Sequence, residues 1–142
     1  MYALSWCLTN INIDLNSQYT LILLYIKPPP LVYSSLDITG YLFGSDIIAA
    51  IEKYGKELAD SVMGRAQVIC NDYPNIIQIE KKVGSGDAKD KICEILEKLG
   101  ADMLVIGSHG YGSIKRALLG SVSDYCSKTA KCPVLIVKRP TT

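Results

Sequence analysis

Glycine and serine residues near the C-terminal end of the sequence have a spacing that suits phosphate binding. Gly107 and Gly110 enclose two residues, Gly110 and Gly120 enclose nine, and Ser121 follows directly, so the string is G-x2-G-x9-G-S. Because glycine lacks a Cβ, backbone N–H groups in such a loop can approach an anion, and a following helix N-terminus adds unpaired donors. Ser121 and Ser123 stand where that helix would begin, so their hydroxyls are candidates to cap it or to bind phosphate. On spacing alone, plain turns and caps explain the string equally well.

Three other side chains of this loop bear on its chemistry. His109 lies between the first two glycines, and histidine is a common general base, but no nucleophile or orienting carboxylate is spaced to work with it. Catalysis by His109 is therefore not predicted. Lys115 and Arg116 could screen phosphate charge, although a solvated helical turn is the favoured interpretation. The Walker string G-x-x-x-x-G-K-[ST] is absent, so P-loop ATPase chemistry is not indicated and the chain is not predicted to be an enzyme.

The composition is that of one ordinary globular domain. A length of 142 residues predicts a single domain over residues 1–142, and a net charge of +1 gives no electrostatic case for nucleic-acid binding. Five cysteines without any C-x-x-C spacing predict reduced core thiols in a cytosolic (cytoplasmic) or nuclear compartment, and a single histidine leaves the usual zinc spacings absent. Neither a membrane-spanning run nor a signal-peptide pattern is found, so no membrane association is expected.

Alternating strand-like and helix-like segments are expected to position the glycine loop. Continuous apolar runs predict buried strands, and a run that is apolar first and charged later, with Lys81 and Lys82, predicts an edge strand. Apolar residues repeating at three and four positions predict the helices. The predicted strands are Thr20–Ile26, Ile76–Val83 (the edge strand), Met103–Ile106 and Val134–Val137. This order predicts an α/β fold with an open parallel sheet and helices on both faces.

The helix boundaries follow from capping residues. One helix is expected to begin at Ser45 or Asp46 and to end before Asn71, with an apolar stripe made of Ile47, Ile48, Ile51, Tyr54, Leu58 and Val62. A second is expected to follow a loop at residues 84–87, with Asp87 as its N-cap and Gly100 as its end. Residues 31–44 are interpreted as a surface connector rather than a partner-binding loop. For residues 2–11, periodicity does not decide between strand and helix.

The glycine string and its surroundings resemble the universal stress protein family (UspA-like), in particular the ATP-binding branch of the plant type with a single domain. The likeness rests on GSHGYGSIKRALLGSVSDYC and CPVLIV, and it extends more weakly to residues 2–8, 21–27 and 86–92. The resemblance implies a Rossmann-like fold of the adenine nucleotide alpha hydrolase type and favours a helix over residues 2–11. It also implies a nucleotide-binding stress-response regulator with little or no turnover, taking ATP, AMP or ATP with Mg²⁺ and holding no tightly bound metal.

Carried over residue by residue, the resemblance would place the nucleotide phosphates and ribose against the glycine loop and the start of the helix. The implied contacts are Gly107, Gly110, Gly120, Ser121, Val122 and Ser123, with the adenine near Ile26. The resemblance further implies a homodimer that pairs through the strand Val134–Val137. The alternative is a dimerisation or interaction module of the same fold that does not bind nucleotide.

The resemblance also implies a first strand, and a nucleotide-proximal aspartate after it, that have no counterpart in this sequence. In family sheets that strand lies between those matching Thr20–Ile26 and Met103–Ile106. Each unpaired buried backbone group costs on the order of 1–3 kcal/mol. We therefore expect the gap to be closed, by direct pairing of the flanking strands, by a segment of residues 1–19 or by a second subunit.

Overall fold

Helices and strands alternate along the described part of the chain. The structure is a computed structural model, and it describes residues 1–11, 19–28, 45–74, 78–109 and 119–140. The elements are α1 (Tyr2–Asn10), β1 (Thr20–Lys27), α2 (Ser45–Asn71), β2 (Gln78–Ser85), α3 (Ala88–Leu99), β3 (Leu104–Gly107), α4 (Ser121–Thr129) and β4 (Val134–Val137). The predicted α/β fold with parallel strands is confirmed. Within the described ranges, no helix is long and apolar enough to cross a membrane.

The strands that the structure describes pair in two sheets of two strands each. β1 runs parallel to β2, with Thr20 opposite Gln78, and β3 runs parallel to β4, with Leu104 opposite Val134. Direct pairing of β1 with β3, one of the three expected ways of closing the gap, does not occur among the described strands. Residues 2–10 do not supply a strand either, because they form helix α1, as the resemblance favoured.

The two faces of β1 are covered by different helices. Leu23 is buried in a core cluster with Met63, Ala66 and Cys70 of α2, and Leu4 and Leu8 of α1 pack against this cluster. Ile26 lies on the other face, because successive strand residues point to opposite faces and its side chain reaches towards α3. Helix α1 also contacts β3. Helices therefore cover both faces, as predicted.

Helix α2 differs from its prediction in end point and in buried face. It begins at Ser45, includes Asp46 in its first turn and runs through Asn71, one residue past the predicted end. The predicted apolar stripe is largely exposed: Ile47, Ile51, Tyr54 and Leu58 are all more than a third accessible. The buried side chains are instead Ala59, Met63, Ala66 and Cys70. The reason is that only the C-terminal half of α2 packs against β1. The apolar periodicity of the N-terminal half therefore does not indicate which residues of the helix are buried.

Strand β2 extends into the segment predicted as a loop. Gly84 pairs with Ile26 and Ser85 with Lys27, so the parallel ladder continues through both residues. The turn itself is confined to Gly86, whose φ of 132° is accessible mainly to glycine. Residues 75–77, the predicted start of this strand, and residues 31–44 lie outside the described part of the chain. The exposed Lys81 and Lys82 agree with a solvated half-strand.

Helix α3 has the two caps that the sequence predicts. The Asp87 carboxylate accepts a hydrogen bond from the Lys89 N–H at 3.2 Å, and Gly100 ends the helix with φ 60° and ψ 40°. The Gly100 N–H donates to the carbonyls of Leu96 and Glu97, which satisfies the last turn.

Candidate functional site

The end of β3 and the start of α4 meet at one residue, Ser108. Its N–H donates to the Val137 carbonyl at 3.0 Å, which extends the β3–β4 ladder by one residue. Its carbonyl accepts the Gly120 N–H at 2.7 Å, which ties the far end of the glycine loop back to the strand. The start of α4 is therefore held directly beside the end of β3.

A glycine is needed at position 120 because a side chain would not fit there, and not because the backbone conformation requires one. Its φ of −62° and ψ of 154° are available to any residue. A Cβ built on Gly120, however, would lie 2.7 Å from the Ser108 carbonyl oxygen and 3.6 Å from the His109 Cα. Gly120 thus permits a close approach of two backbone segments.

Ser123 holds this junction from inside the helix. Its side chain is buried, and its hydroxyl oxygen lies 3.1 Å from the Ser108 carbonyl oxygen and 3.0 Å from the Gly120 carbonyl oxygen, so its single proton is shared between the two acceptors. The N-cap of α4 is Gly120, with no side-chain capping bond. Capping of α4 by Ser121 or Ser123, one of the two roles open to their hydroxyls, is therefore not observed, and the Ser123 hydroxyl is turned towards carbonyl acceptors.

The absence of a side-chain cap leaves donors available at the start of α4. The first intrahelical bond runs from the Asp124 N–H to the Gly120 carbonyl at 3.0 Å, so the N–H groups of residues 121–123 precede the helical ladder. These groups, together with the positive end of the helix dipole, favour an anion. The only acidic side chain of this first turn, Asp124, is paired with Lys128 at 2.9 Å, one turn further along.

A cleft of about 310 Å³ opens at this junction. Its lining includes most of the residues predicted for nucleotide contact, and all of them come from the β3 end and the α4 start. The lining residues are Gly107, Ser108, His109, Gly120, Ser121, Val122 and Ser123. Ser121 is exposed, so its hydroxyl is available to a ligand, whereas that of Ser123 is not.

Of the two remaining predicted contacts, the structure describes Ile26 but not Gly110. Ile26 does not line the cleft; its Cδ1 lies 2.8 Å from the position a Gly84 Cβ would take, and the Ile95 Cδ1 lies 3.1 Å from the same position. Ile26 therefore packs towards α3 rather than into the cleft. Gly110 lies outside the described part of the chain, as do Lys115 and Arg116.

His109 lines the cleft as an exposed side chain. Across the described ranges, no carboxylate forms an ion pair or hydrogen bond with it, and no group of three or more His, Cys, Asp or Glu side chains is placed to hold a metal ion. An imidazole without an orienting partner is poorly suited to general-base work.

Ser108 is a site residue that the sequence reasoning missed. It is buried, and its two backbone groups organise the whole junction. The signal that could have identified it is its position, since it is the small residue directly after the last residue of a buried strand.

A thiol contact fixes the body of α4 behind the cleft. Cys126 is fully buried, and its Sγ lies 3.9 Å from the Cys93 Sγ of α3. Burial, with Cys93 as the next cause, raises the pKa of the Cys126 thiol to about 12. The neutral thiol therefore serves as an apolar packing group between the two helices.

The sequence model of the universal stress protein family matches residues 1–138. The chain belongs to the universal stress protein family. A universal stress protein A-like protein of Arabidopsis thaliana is 28% identical over 142 residues, covering 96% of this chain and 77% of that relative. The family assignment confirms the resemblance inferred from the glycine string.

Solved structures of universal stress proteins share the fold. One, from Arabidopsis thaliana with AMP bound, has a TM-score of 0.65 at 22% identity and covers 98% of this chain and 77% of its own. Another, in complex with cAMP, has a TM-score of 0.63 at 23% identity and covers 96% of this chain and 86% of its own. At these identities the likeness establishes the fold, and the bound molecules describe those two proteins.

Proposed function

We propose that this universal stress protein binds an adenine nucleotide, ATP or AMP, in the cleft between β3 and α4 and acts as a stress-response regulator. The observation that carries the proposal is the start of α4, where three N–H groups without a capping side chain face a cleft lined by residues 107–109 and 120–123. Such donors favour a phosphate over a neutral ligand.

The site suits a nucleotide in size as well as charge. Its volume of about 310 Å³ is at the lower end of the range for small-molecule pockets. We assign phosphate contact to the N–H groups of residues 121–123 and to the exposed Ser121 hydroxyl. Gly107, Gly110 and Gly120 would let the backbone approach the ligand, and Ser123 would position the loop. Mg²⁺ would accompany ATP through the phosphates, because the described residues offer it no cluster of ligands.

The two nucleotide-bound family structures support the adenine assignment. We also propose little or no turnover of the nucleotide. In support, His109 in the lining has no carboxylate partner among the described residues. The nucleotide would then serve as a ligand whose presence changes the conformation or partners of the protein.

Two further features belong to the proposal. All five cysteines are free thiols, which supports a reducing compartment such as the cytoplasm or nucleus. Strand β4 pairs with β3 on one side, so its other edge is offered to the β4 of a second subunit in a homodimer.

A second candidate, an interaction module that does not bind nucleotide, is favoured by one observation. Ile26, the implied adenine contact, packs towards Ile95 rather than into the cleft. On this alternative the junction at Ser108 would be purely structural.

Calorimetric titration with ATP and AMP separates the two candidates, with GTP as the specificity control. The matched pair of variants is Ser121→Asp and Ser127→Asp, which place the same charge on two exposed positions of α4. An aspartate in the first turn favours the helix, so Ser121→Asp should fold and yet weaken ATP binding by at least about tenfold through repulsion of phosphate. Ser127→Asp should bind like the parent. No ATP or AMP binding by the parent at millimolar ligand would select the interaction module.

A further inference from the structure

Two thiols from different helices meet behind the cleft. The Sγ atoms of Cys93 in α3 and Cys126 in α4 lie 3.9 Å apart, although the two residues are 33 positions apart in the sequence. A disulfide bond is about 2.05 Å long, so the two sulfur atoms would have to approach by about 2 Å to form one. The packing of the two helices therefore brings two oxidisable groups to within a small movement of bonding.

The two thiols differ in their access to solvent. Cys93 is half-buried, whereas Cys126 is fully buried. Burial is also the main cause that raises the pKa of the Cys126 thiol to about 12, so this thiol stays protonated near neutral pH. Because the thiolate is the form of cysteine that attacks an oxidant, a dissolved oxidant reacts at Cys93 first. Cys126 is then reached through its contact with the Cys93 sulfur and not through solvent.

A third thiol lies near this pair. Cys132 is the smallest of the causes that raise the pKa of Cys126. It is half-buried, like Cys93, and it directly precedes Pro133 near the start of β4. Cys132 is therefore the competing partner for an oxidised thiol. The geometry favours Cys126 as the partner of Cys93, because these two sulfur atoms are already in contact.

We propose that Cys93 is a site of oxidation by hydrogen peroxide and that Cys126 completes the reaction by forming an intramolecular disulfide with it. The Cys93 thiolate attacks one peroxide oxygen, the O–O bond breaks, and the leaving hydroxide takes up the proton that Cys93 released, which gives a sulfenic acid and water. The Cys126 sulfur then attacks the Cys93 sulfur, the S–O bond breaks, and the leaving hydroxide takes the Cys126 proton as a second water. The two sulfur atoms together lose two electrons, and the peroxide gains them. In a reducing compartment such a disulfide is transient, because cellular thiols reduce it by exchange.

The disulfide would act on the nucleotide cleft through α4. Cys126 follows Ser123 by three positions, so the two side chains are neighbours on one face of the helix. The Ser123 hydroxyl lies 3.1 Å from the Ser108 carbonyl oxygen, and a pull of Cys126 towards α3 is transmitted to this contact. This effect depends on the proposed nucleotide binding. We expect the oxidised form to bind ATP at least about fivefold more weakly, which is the effect of losing about one hydrogen bond.

The first arm of the test maps disulfides in the full chain, oxidised at a concentration where sedimentation shows a monomer, by mass spectrometry of digests prepared without reductant. Hydrogen peroxide should link Cys93 to Cys126 with loss of two hydrogen atoms, and dithiothreitol should reverse the link. Cys93→Ala should abolish the link, whereas Cys7→Ala, at another half-buried cysteine, should retain it. In Cys126→Ala the sulfenic acid of Cys93 should persist and be trapped by dimedone.

The second arm compares ATP affinity by calorimetry before and after oxidation. The parent should bind more weakly once oxidised, and Cys93→Ala treated with the same peroxide should keep its affinity. Equal affinities of the reduced and oxidised parent would overturn the action on the cleft. A chain that forms the disulfide and binds no ATP in either state would reject the proposed nucleotide binding, and with it the action on the cleft, and would support the oxidation site.

Two results of the mapping would overturn the oxidation site. The first is a disulfide that joins Cys132 to Cys93 or to Cys126 in place of the proposed link. The second is that Cys93 and Cys126 both remain thiols after peroxide treatment of the folded chain.

Discussion

Adding a single methyl group at Gly120 tests how the start of α4 is held. In Gly120→Ala the new Cβ would lie 2.7 Å from the Ser108 carbonyl oxygen, well inside van der Waals contact. That oxygen accepts both the Gly120 N–H, at 2.7 Å, and the Ser123 hydroxyl, at 3.1 Å. The methyl group must therefore push the first turn of α4 away from the β3 end and lengthen both bonds.

The magnitude follows from opposing terms. Gly120 has φ −62° and ψ 154°, where alanine is unstrained, so loss of glycine entropy from the unfolded state contributes about 0.4–1 kcal/mol of stability. Weakening two hydrogen bonds costs about 1 kcal/mol each, and overpacking costs about 1–3 kcal/mol. The steric term wins, and we expect a net loss of about 2–5 kcal/mol. Nucleotide affinity should fall by about tenfold or more, because the donors of residues 121–123 move.

The assay is denaturant unfolding combined with calorimetric titration of ATP. The matched control is Gly64→Ala in α2, where a Cβ meets no atom within 4 Å. In a helix interior that change should stabilise by about 0.5–1 kcal/mol and leave ATP affinity unchanged. Gly120→Val should abolish ATP binding while the helical circular-dichroism signal remains.

The reasoning is refuted if Gly120→Ala unfolds and binds ATP like the parent. The Ser108 carbonyl would then not lie where the junction requires it. Loss of stability with unchanged affinity would instead retain the junction and reject its role in nucleotide binding.

Three further predictions concern charge, thiol chemistry and assembly. Hydrogen bonds from Lys98 and Lys91 lower the pKa of Glu94 to about 2, from an ordinary value of 4.5. A carboxyl whose pKa is lowered in the folded state stabilises the fold above its unfolded pKa, so stability should fall as the pH drops from about 4.5 to about 2. If unfolding midpoints are measured across this pH range, the parent should show that fall and Glu94→Gln should show less of it. The Cys126 thiol is buried and its pKa is raised to about 12, so it should resist alkylation by iodoacetamide at mildly alkaline pH until denaturant unfolds the chain. If mass spectrometry showed rapid labelling of Cys126 in the folded protein, its buried packing would be contradicted. The backbone of Val137 faces β3, so the N–H of Ile136 faces the outer edge of β4. Ile136→Pro removes this donor and should convert a dimer to a monomer in sedimentation. A parent that is already monomeric at all concentrations would reject the dimer.

Local patterns in the sequence are sufficient for much of the fold. The apolar run Val134–Val137 predicts its strand to the residue, and the glycine at position 100 marks the end of α3 correctly. Both signals act over a few residues, so no distant partner is needed to interpret them. The capping role of Asp87 is local in the same sense.

Features set by distant contacts were mispredicted. Gly84 looks like a loop residue, yet it lies in β2 because Ile26, far away in sequence, pairs with it. The apolar residues at the start of α2 look like a buried stripe, although Tyr54 is 68% exposed. Likewise, the absence of pairing between β1 and β3 depends on which strands are neighbours in the fold. Hydrophobic periodicity indicates where strands lie in the sequence but not which strands pair.

The candidate site shows the same division. The glycine spacing locates the cleft, because close backbone approach has a direct sequence signature in Gly120. The orientation of a hydroxyl has no such signature in the sequence. Ser123 was therefore a candidate helix cap or phosphate ligand, and it is found buried against the Ser108 carbonyl. Whether Ile26 reaches the cleft depends on the packing of α3, which the sequence does not reveal.

The most direct test of nucleotide binding at this junction is an amide NMR titration of the full chain with ATP. The proposal predicts that the largest shifts fall on the N–H groups of residues 121–123, with smaller shifts at Ser108 and His109 and none at the far end of α2. An unchanged spectrum at millimolar ATP, or shifts that leave the first turn of α4 unaffected, would contradict it.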